Sequence, residues 1–371
     1  MSDASRDPVP PPRQPAQRGG FLFGGMFMMS LLANLFLVSA FTLLVIVGIM
    51  VALAGGSDKL TERLYAGETS AKDKIAIVQV DGIILEGMIG YARKQIREAG
   101  KDDAVKAVVL RIDSPGGSIT ASDELHHLIT ELRDGNPEKS IQPKPVVVSM
   151  GGLAASGGYY IAMPGKPIFA ERTTMTGSIG VYAAFPNLVG LTEKIGVTMQ
   201  VIKRGEVKTA GSPFGQMTPQ ERQVWEDSID HAYSQFLAVV EQGRPQLKGK
   251  LREVVVDRQI TTDKGAVVPY QRLRADGGVF SADQAKEFGL IDKVGYLEDA
   301  VQAAKTAAAL GTDYKVVTYE RPATLFGSLL GVQSTSPTAS LDAGRVAEGV
   351  SPRIWYLTPQ SEVAGILAAS R

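Results

Sequence analysis

Ser156 lies in a stretch of small residues, GGLAASGGYY at positions 151–160. The apolar run 145–150 before it predicts a buried strand, and the residues after it predict the start of a helix. At such a turn the serine hydroxyl stays accessible. The backbone amides that follow it lie at the N-terminus of the predicted helix, where negative charge is favoured. A serine nucleophile with an oxyanion hole needs these features, but small residues also let a helix pack closely on a sheet.

A nucleophilic serine needs a base, and the chain offers few candidates. Its three histidines, His126, His127 and His231, fall inside predicted helices. A lysine acts as a general base only when it is unprotonated, so burial must lower its pKa from about 10.4. Lys208 lies in a glycine-punctuated loop with Glu206 close by. Taken alone, Lys208 fits an ordinary surface lysine.

The elements that must position these residues alternate along the chain. Strands are predicted at 74–80, 105–112 and 145–150, each nearly continuous in aliphatic residues, with helices between them. This alternation predicts an α/β fold with a mostly parallel sheet. Small-residue turns follow three strands at 114–117, at Ser156 and at 176–178, where ligand sites of parallel sheets lie.

Composition excludes several classes of function. The 371 residues carry 39 basic and 39 acidic side chains, so no net field attracts nucleic acid, and no nucleic-acid-binding motif is present. The absence of cysteine removes disulfides, thiolate metal sites and cysteine nucleophiles. Histidine-based metal chemistry has only three candidate ligands, and no metal site is predicted.

The N-terminal region predicts a membrane anchor. Residues 1–20 are polar and predict a disordered tail, whereas residues 21–56 carry no charge. The apolar run is long enough to span a bilayer, and a transmembrane signal anchor is predicted at 27–54. A cleaved signal peptide is the alternative, because residues 52–54 (Ala-Leu-Ala) resemble a cleavage site. The flanking basic residues lean toward a cytoplasmic N-terminus, which places the folded part outside the cytoplasm.

The rest of the chain is predicted as a linker, one domain and a tail. The linker covers 55–73 and the domain covers 74–320; the extension 321–371 is predicted to be mostly irregular, with one apolar patch at 354–357. Within the domain, a strand is predicted at 198–202. A helix is predicted to begin at Thr218, which is followed by proline and then by an acid three residues on.

Five motifs, taken together and in order, resemble the signal peptide peptidases of the S49 serine peptidase family. The resemblance spans residues 74–319 and is to the short bacterial form with one catalytic domain. The motifs are DSPGG at 113–117, ASGGYY at 155–160, TGSIGV at 176–181, GEVKTAGSP at 205–213 and AKEFGLID at 285–292. Two stretches depart from the family pattern: the residues flanking Lys208, and residues 261–274, which are longer than usual.

This resemblance implies a ClpP/crotonase-like fold and a Ser-Lys dyad that needs no metal or other cofactor. Ser156 is the implied nucleophile, Lys208 the general base and Ser178 the residue that orients the lysine. Backbone amides of Gly157 and of Gly116 or Gly117 are implied to form the oxyanion hole.

The implied substrates are remnant signal peptides and other short apolar peptides, cleaved beside the membrane. The implied assembly is a ring-like or dome-like homo-oligomer. Whether the serine and lysine of one site belong to the same subunit stays open.

Two other functions remain alternatives. A crotonase-like acyl-thioester enzyme uses the same oxyanion amides, but it needs acidic catalytic residues that these turns lack. A non-catalytic membrane scaffold is disfavoured because the serine and the lysine are both intact.

Overall fold

A computed structural model describes residues 20–53, 60–320 and 354–357. The chain divides into two compact units, Met1–Asp58 and Lys59–Arg371. The predicted N-terminal tail 1–20 lies outside the described residues except for Gly20, and so does the predicted extension 321–371 except for its apolar patch.

The described residues of the N-terminal unit form one helix, α1, at Gly20–Leu53. In the described parts of the chain it is the one helix that is long and apolar enough to cross a membrane, by length and composition, with Met28–Val47 as the candidate span. Its polar side chains bond within the helix: Asn34 Nδ2 donates to Ser30 O at 2.8 Å, and Thr42 Oγ1 donates to Val38 O at 2.7 Å. A bilayer requires such internal pairing.

The second unit alternates strands and helices, as its sequence predicts. Its strands are β1 Thr61–Gly67, β2 Lys74–Asp81, β3 Val105–Ser114, β4 Gly116–Ser118, β5 Val146–Ala155, β6 Ile168–Ala170, β7 Met175–Gly177, β8 Tyr182–Ala183, β9 Val254–Thr261, β10 Val267–Leu273, β11 Val279–Ser281, β12 Lys293–Val294, β13 Lys315–Glu320 and β14 Ile354–Leu357. Its helices are α2 Gly90–Lys101, α3 Ile119–Asp134, α4 Gly157–Tyr160, α5 Val189–Lys194, α6 Pro219–Gly243, α7 Ala282–Glu287 and α8 Leu297–Ala307. Two 3-10 turns lie at Pro137–Lys139 and Pro245–Leu247.

The main sheet is mostly parallel. Its strands follow the order β1-β13-β2-β3-β5-β6-β12, and β7 and β11 extend it beside the end of β5. All pairs are parallel except β1 with β13 and β7 with β11. The long strands β2, β3 and β5 stand next to one another, so their carboxyl ends open at the same edge.

Helices cover both faces of this sheet. Alternate residues of β3 point to opposite sides, so Val108 and Leu110 pack with α2 and α3, whereas Ala107 and Val109 pack with α8. All four side chains are at most 1% exposed. Burial on both faces explains why β3 has a continuous aliphatic sequence rather than an alternating one.

The structure corrects one predicted strand and adds others. Residues 198–202 are not a strand; they are irregular and exposed, since no neighbouring strand pairs with them, and Ile202 is 96% exposed. Strand β1 lies in the stretch predicted as a linker, and β9 and β10 form a hairpin across the long segment 261–274. The apolar patch of the tail forms strand β14.

Candidate active site

Ser156 occupies the turn between β5 and α4. Its φ of 53° lies in the left-handed region, which costs a non-glycine residue about 1–3 kcal/mol and is characteristic of functional turns. Its side chain is fully buried, and its Oγ has no hydrogen-bond partner among the described residues. A buried hydroxyl without a partner is destabilising unless a reaction or a ligand uses it.

Ser178 lies beside Ser156 because two parallel strands end together. β5 pairs with β7 so that Ala155 faces Gly177, and Ser156 N donates to Gly177 O at 2.8 Å. The next residue on each strand is therefore a serine, and Ser178 also has a φ of 53°. The Ser178 Oγ donates to Gly277 O at 3.0 Å, which holds this hydroxyl in place. The structure thus brings these two predicted residues together.

The glycines predicted to form the oxyanion hole lie on the other side of Ser156. A Cβ added to Gly157 would lie 3.1 Å from Gly117 N and 3.2 Å from Gly116 Cα, so these backbones are in contact. A Cβ on Gly117 would meet Ile84 O at 1.8 Å, which explains why no side chain fits there.

The backbone amides of Gly116 and Gly117 differ in their hydrogen-bond partners. The Gly116 amide donates to Ser114 Oγ at 3.1 Å. On one edge of β4, the Ile84 amide donates to Gly116 O and the Ser118 amide donates to Ile84 O, each at 2.9 Å. Because polar groups alternate sides along a strand, the Gly117 amide faces the opposite edge.

Ser122 lies beside the Ser156 turn and was not predicted from the sequence. It lies in the first turns of α3, is fully buried, and its Oγ has no hydrogen-bond partner among the described residues. A Cβ on Gly157 would lie 2.4 Å from this hydroxyl. Ser118 caps α3, and Ser122 follows it by four residues. This spacing is the feature of the sequence from which the position of Ser122 near the start of the helix could have been predicted.

Lys208 lies in a separate loop anchored on α6. Thr209 Oγ1 donates to Glu221 Oε1 at 2.6 Å, and Lys203 Nζ donates to Thr209 Oγ1 at 2.9 Å. Glu221 also accepts from the Thr218 amide in the capping box that begins α6, as the sequence predicts. Hydrogen bonds from Thr209 and then from the Thr218 amide hold the pKa of the Glu221 carboxyl below its ordinary value.

The Lys208 side chain is exposed and lines an open groove of about 400 Å³ with Val207, Trp225 and neighbouring residues. Ser156 does not line this groove, and no hydrogen bond joins the Ser156 hydroxyl to Lys208 in the described parts of the chain. The structure therefore assembles Ser156, Ser178, Gly117 and Gly157, whereas Lys208 lines a groove of which none of these four residues is part.

Within the described residues, none of the three histidines is hydrogen-bonded to the Ser156 hydroxyl. Burial lowers the pKa of His126 to about 4, and its ring packs against Tyr160 with ring centroids 5.1 Å apart. His127 lies near Glu131, and His231 contacts Gln235. The described part of the chain also has no group of three or more His, Asp or Glu residues that could hold a metal ion.

Residues 138–270 match the model of peptidase family S49, a region that contains both Ser156 and Lys208. The chain is 36% identical over 285 residues to a putative protease of Synechocystis, covering 76% of this chain and 91% of that protein. This chain belongs to peptidase family S49.

Two further relatives extend the comparison. A putative signal peptide peptidase of Enterococcus faecium is 32% identical, with 74% of each chain covered. A chloroplastic serine protease of Arabidopsis thaliana is 33% identical and covers 78% of this chain and 42% of its own length. Membership of S49 makes the protein a serine peptidase.

Proposed function

We propose that this S49 protein is a membrane-anchored endopeptidase with a ClpP/crotonase-like fold, in which Ser156 and Lys208 form the catalytic dyad. The observation that carries the proposal is the Ser156 hydroxyl: it is buried, it lacks a hydrogen-bond partner among the described residues, and it lies at a turn with positive φ. A nucleophile held in this way is preorganised for attack on a peptide carbonyl.

The reaction begins when neutral Lys208 removes the Ser156 proton. The alkoxide attacks the carbonyl carbon, and the negative oxygen that forms is stabilised by the amides of Gly117 and Gly157. Gly116 contributes less, because its amide already donates to Ser114. The lysine then protonates the leaving amine and activates the water that hydrolyses the acyl-enzyme.

The base is supplied by a neighbouring copy of the chain. Lys208 is exposed in the single chain, whereas a lysine base needs burial to lose its proton near neutral pH. The segment that carries Lys208 also exposes a set of large apolar side chains, which is typical of an interaction surface. These are Leu191, Ile195, Met199, Val201 and Ile202. A homo-oligomer, such as a ring or dome, would cover them and complete the site.

The substrates proposed are short apolar peptides, such as signal-peptide remnants. Helix α1 would act as a single-pass anchor in the cell membrane, with the catalytic unit outside the cytoplasm. An anchor keeps the peptidase near the surface where such peptides collect.

The test mixes two inactive variants, Ser156→Ala and Lys208→Ala, each expected to lower kcat for an apolar fluorogenic peptide by roughly 10⁴-fold. If adjacent copies share each site, a re-assembled equal mixture recovers about one quarter of wild-type activity, because one neighbour pair in four combines an intact serine with an intact lysine. Retained activity in Ser156→Ala would contradict the nucleophile assignment. A mixture that stays inactive while its subunits exchange would place the dyad within one chain.

A further inference from the structure

A hydroxyl on helix α3 lies beside the Ser156 turn without a partner of its own. Ser122 is fully buried, and its Oγ forms no hydrogen bond among the described residues. A serine inside a helix commonly donates to the carbonyl four residues back, as Ser234 does on α6, where its Oγ donates to Asp230 O at 2.8 Å. Ser122 makes no such bond to Ser118 O, so its hydroxyl is available for another acceptor.

The Ser122 hydroxyl lies against Gly157, the residue that follows Ser156. A Cβ added to Gly157 would lie 2.4 Å from Ser122 Oγ and 3.1 Å from Gly117 N. The hydroxyl and the Gly117 amide therefore flank one point on the same side of Gly157, and glycine leaves that point unfilled. The amides of Gly117 and Gly157 are the two that are proposed to bind the negative oxygen, so the hydroxyl lies within the same group of donors.

The lack of a partner does not by itself indicate a function, as a second hydroxyl on α3 shows. Thr130 Oγ1 is also buried and without a partner among the described residues. Thr130 lies eight residues beyond Ser122 on the helix, a distance of about 12 Å along its axis. What distinguishes Ser122 is that its free hydroxyl is also in contact with Gly157.

A hydroxyl donor without an acceptor is suited to a charge that appears only during the reaction. An interaction accelerates the chemical step when it is stronger in the transition state than in the bound substrate. Side-chain hydroxyls serve in this way beside backbone amides in oxyanion holes. Ser122 can donate as soon as the attack of Ser156 converts a carbonyl oxygen into a negative one.

We propose that Ser122 is a further catalytic residue, whose hydroxyl donates to the negative oxygen of the tetrahedral intermediate together with the amides of Gly117 and Gly157. This assignment rests on the proposed peptidase function, because the oxygen becomes negative only when Ser156 attacks. The contribution is a hydrogen bond: the proton stays on Ser122 Oγ, and no covalent bond forms or breaks there.

The first test separates hydrogen bonding from packing. Ser122→Ala should lower kcat for an apolar fluorogenic peptide by roughly 10- to 100-fold and leave KM within about twofold. Its Tm should not fall, because the hydroxyl has no bond to lose in the resting chain. Ser122→Cys fills the same space with a weak donor and should lose nearly as much activity.

The matched control is Thr130→Val, which removes the other unpartnered hydroxyl of α3 and should keep wild-type kcat. Wild-type kcat in Ser122→Ala, or full activity in Ser122→Cys, would overturn the proposal. A fall in Tm that accounts for the lost activity of Ser122→Ala would also overturn it, since the role of the hydroxyl would then be structural.

The second test measures recognition of the tetrahedral state without turnover. A peptide boronic acid forms a tetrahedral adduct with a serine nucleophile and so resembles the intermediate. Its inhibition constant should rise by roughly 10- to 100-fold in Ser122→Ala. The Kd of an uncleaved peptide of the same sequence should agree within about twofold between Ser156→Ala and the Ser156→Ala, Ser122→Ala double variant.

The outcomes of this second test distinguish the two hypotheses. An unchanged inhibition constant, or equal weakening of the boronic acid and of the uncleaved peptide, would overturn the role of Ser122 and leave the peptidase function standing. Activity that survives in Ser156→Ala counts against the peptidase mechanism, and the proposal for Ser122 falls with it.

Discussion

The two halves of the proposed catalytic site are built in opposite ways. Ser156 is fully buried, and its backbone is tied to β7, with Ser178 on one side and Gly117 on the other. Lys208 is exposed on a loop that Thr209 joins to the Glu221 carboxylate. The residues of the serine half are held together within one chain, whereas the lysine half is an exposed loop.

This difference predicts that damage to the serine half has the larger effect. Gly117→Ala places a Cβ 1.8 Å from Ile84 O, so β4 must move and carry its amide out of line. We expect kcat to fall by about 10²- to 10³-fold, as for the loss of an oxyanion donor. Gly87→Ala is the matched control, because an added Cβ there meets nothing within 4 Å. Near-wild-type kcat in Gly117→Ala would remove this amide from the mechanism.

A smaller effect is expected at Ser178, which does not react but is proposed to orient the lysine. Ser178→Ala should lower kcat by roughly 10-fold and raise the pH at which kcat reaches half its maximum, since the neutral lysine loses a hydrogen-bond partner. The loss of its bond to Gly277 costs about 1 kcal/mol of stability. Ser234→Ala removes a comparable exposed bond on α6 and should leave the pH profile unchanged. An identical profile in both variants would make Ser178 purely structural.

The smallest effect is expected in the lysine half, at Glu221. Because the folded state holds the pKa of this carboxyl below its ordinary value of 4.5, the contribution of Glu221 to stability is present above that pH. It is lost as the pH falls through the lower folded value. Hydrogen exchange at 204–211 should therefore accelerate below about pH 4.5, while exchange at 154–158 stays slow.

The matched substitution tests the same anchor at neutral pH. Glu221→Gln weakens the attraction of Lys203, which lies 3.7 Å from the carboxylate, and should speed exchange at 204–211 a few-fold. Glu206→Gln, exposed on the same loop, is the control. Equal acceleration in the serine half would mean that the two halves are not independent.

Sequence patterns predicted several elements in both halves, because the signals for these elements are local. The aliphatic run before Ser156 forms β5, and the capping signal at Thr218 begins α6 at Pro219. The prediction of a strand at 198–202 was wrong. An apolar pattern favours a strand but does not show whether a partner strand is present to pair with it.

Long-range pairings escaped prediction for the same reason. Strand β14 exists only because β4 and β8 offer their edges to it, and the tail was predicted to be mostly irregular. Ser122 was missed because its importance depends on its approach to Gly157, not on a motif. The position of Lys208 relative to Ser156 stays a prediction, because sequence does not encode which subunit supplies it.

The chain contains two tryptophans. One lies beside the loop that carries Lys208, and the other lies in strand β14. Trp225 packs against Phe185, with ring centroids 4.7 Å apart, and Phe185 in turn meets Gly211 on the lysine loop. Trp355 belongs to β14. The protein therefore carries two intrinsic optical probes. In Trp225→Phe, emission reports on strand β14 alone, and in Trp355→Phe it reports on the surroundings of the Lys208 loop alone, so changes in the two regions become separate fluorescence signals without an added dye.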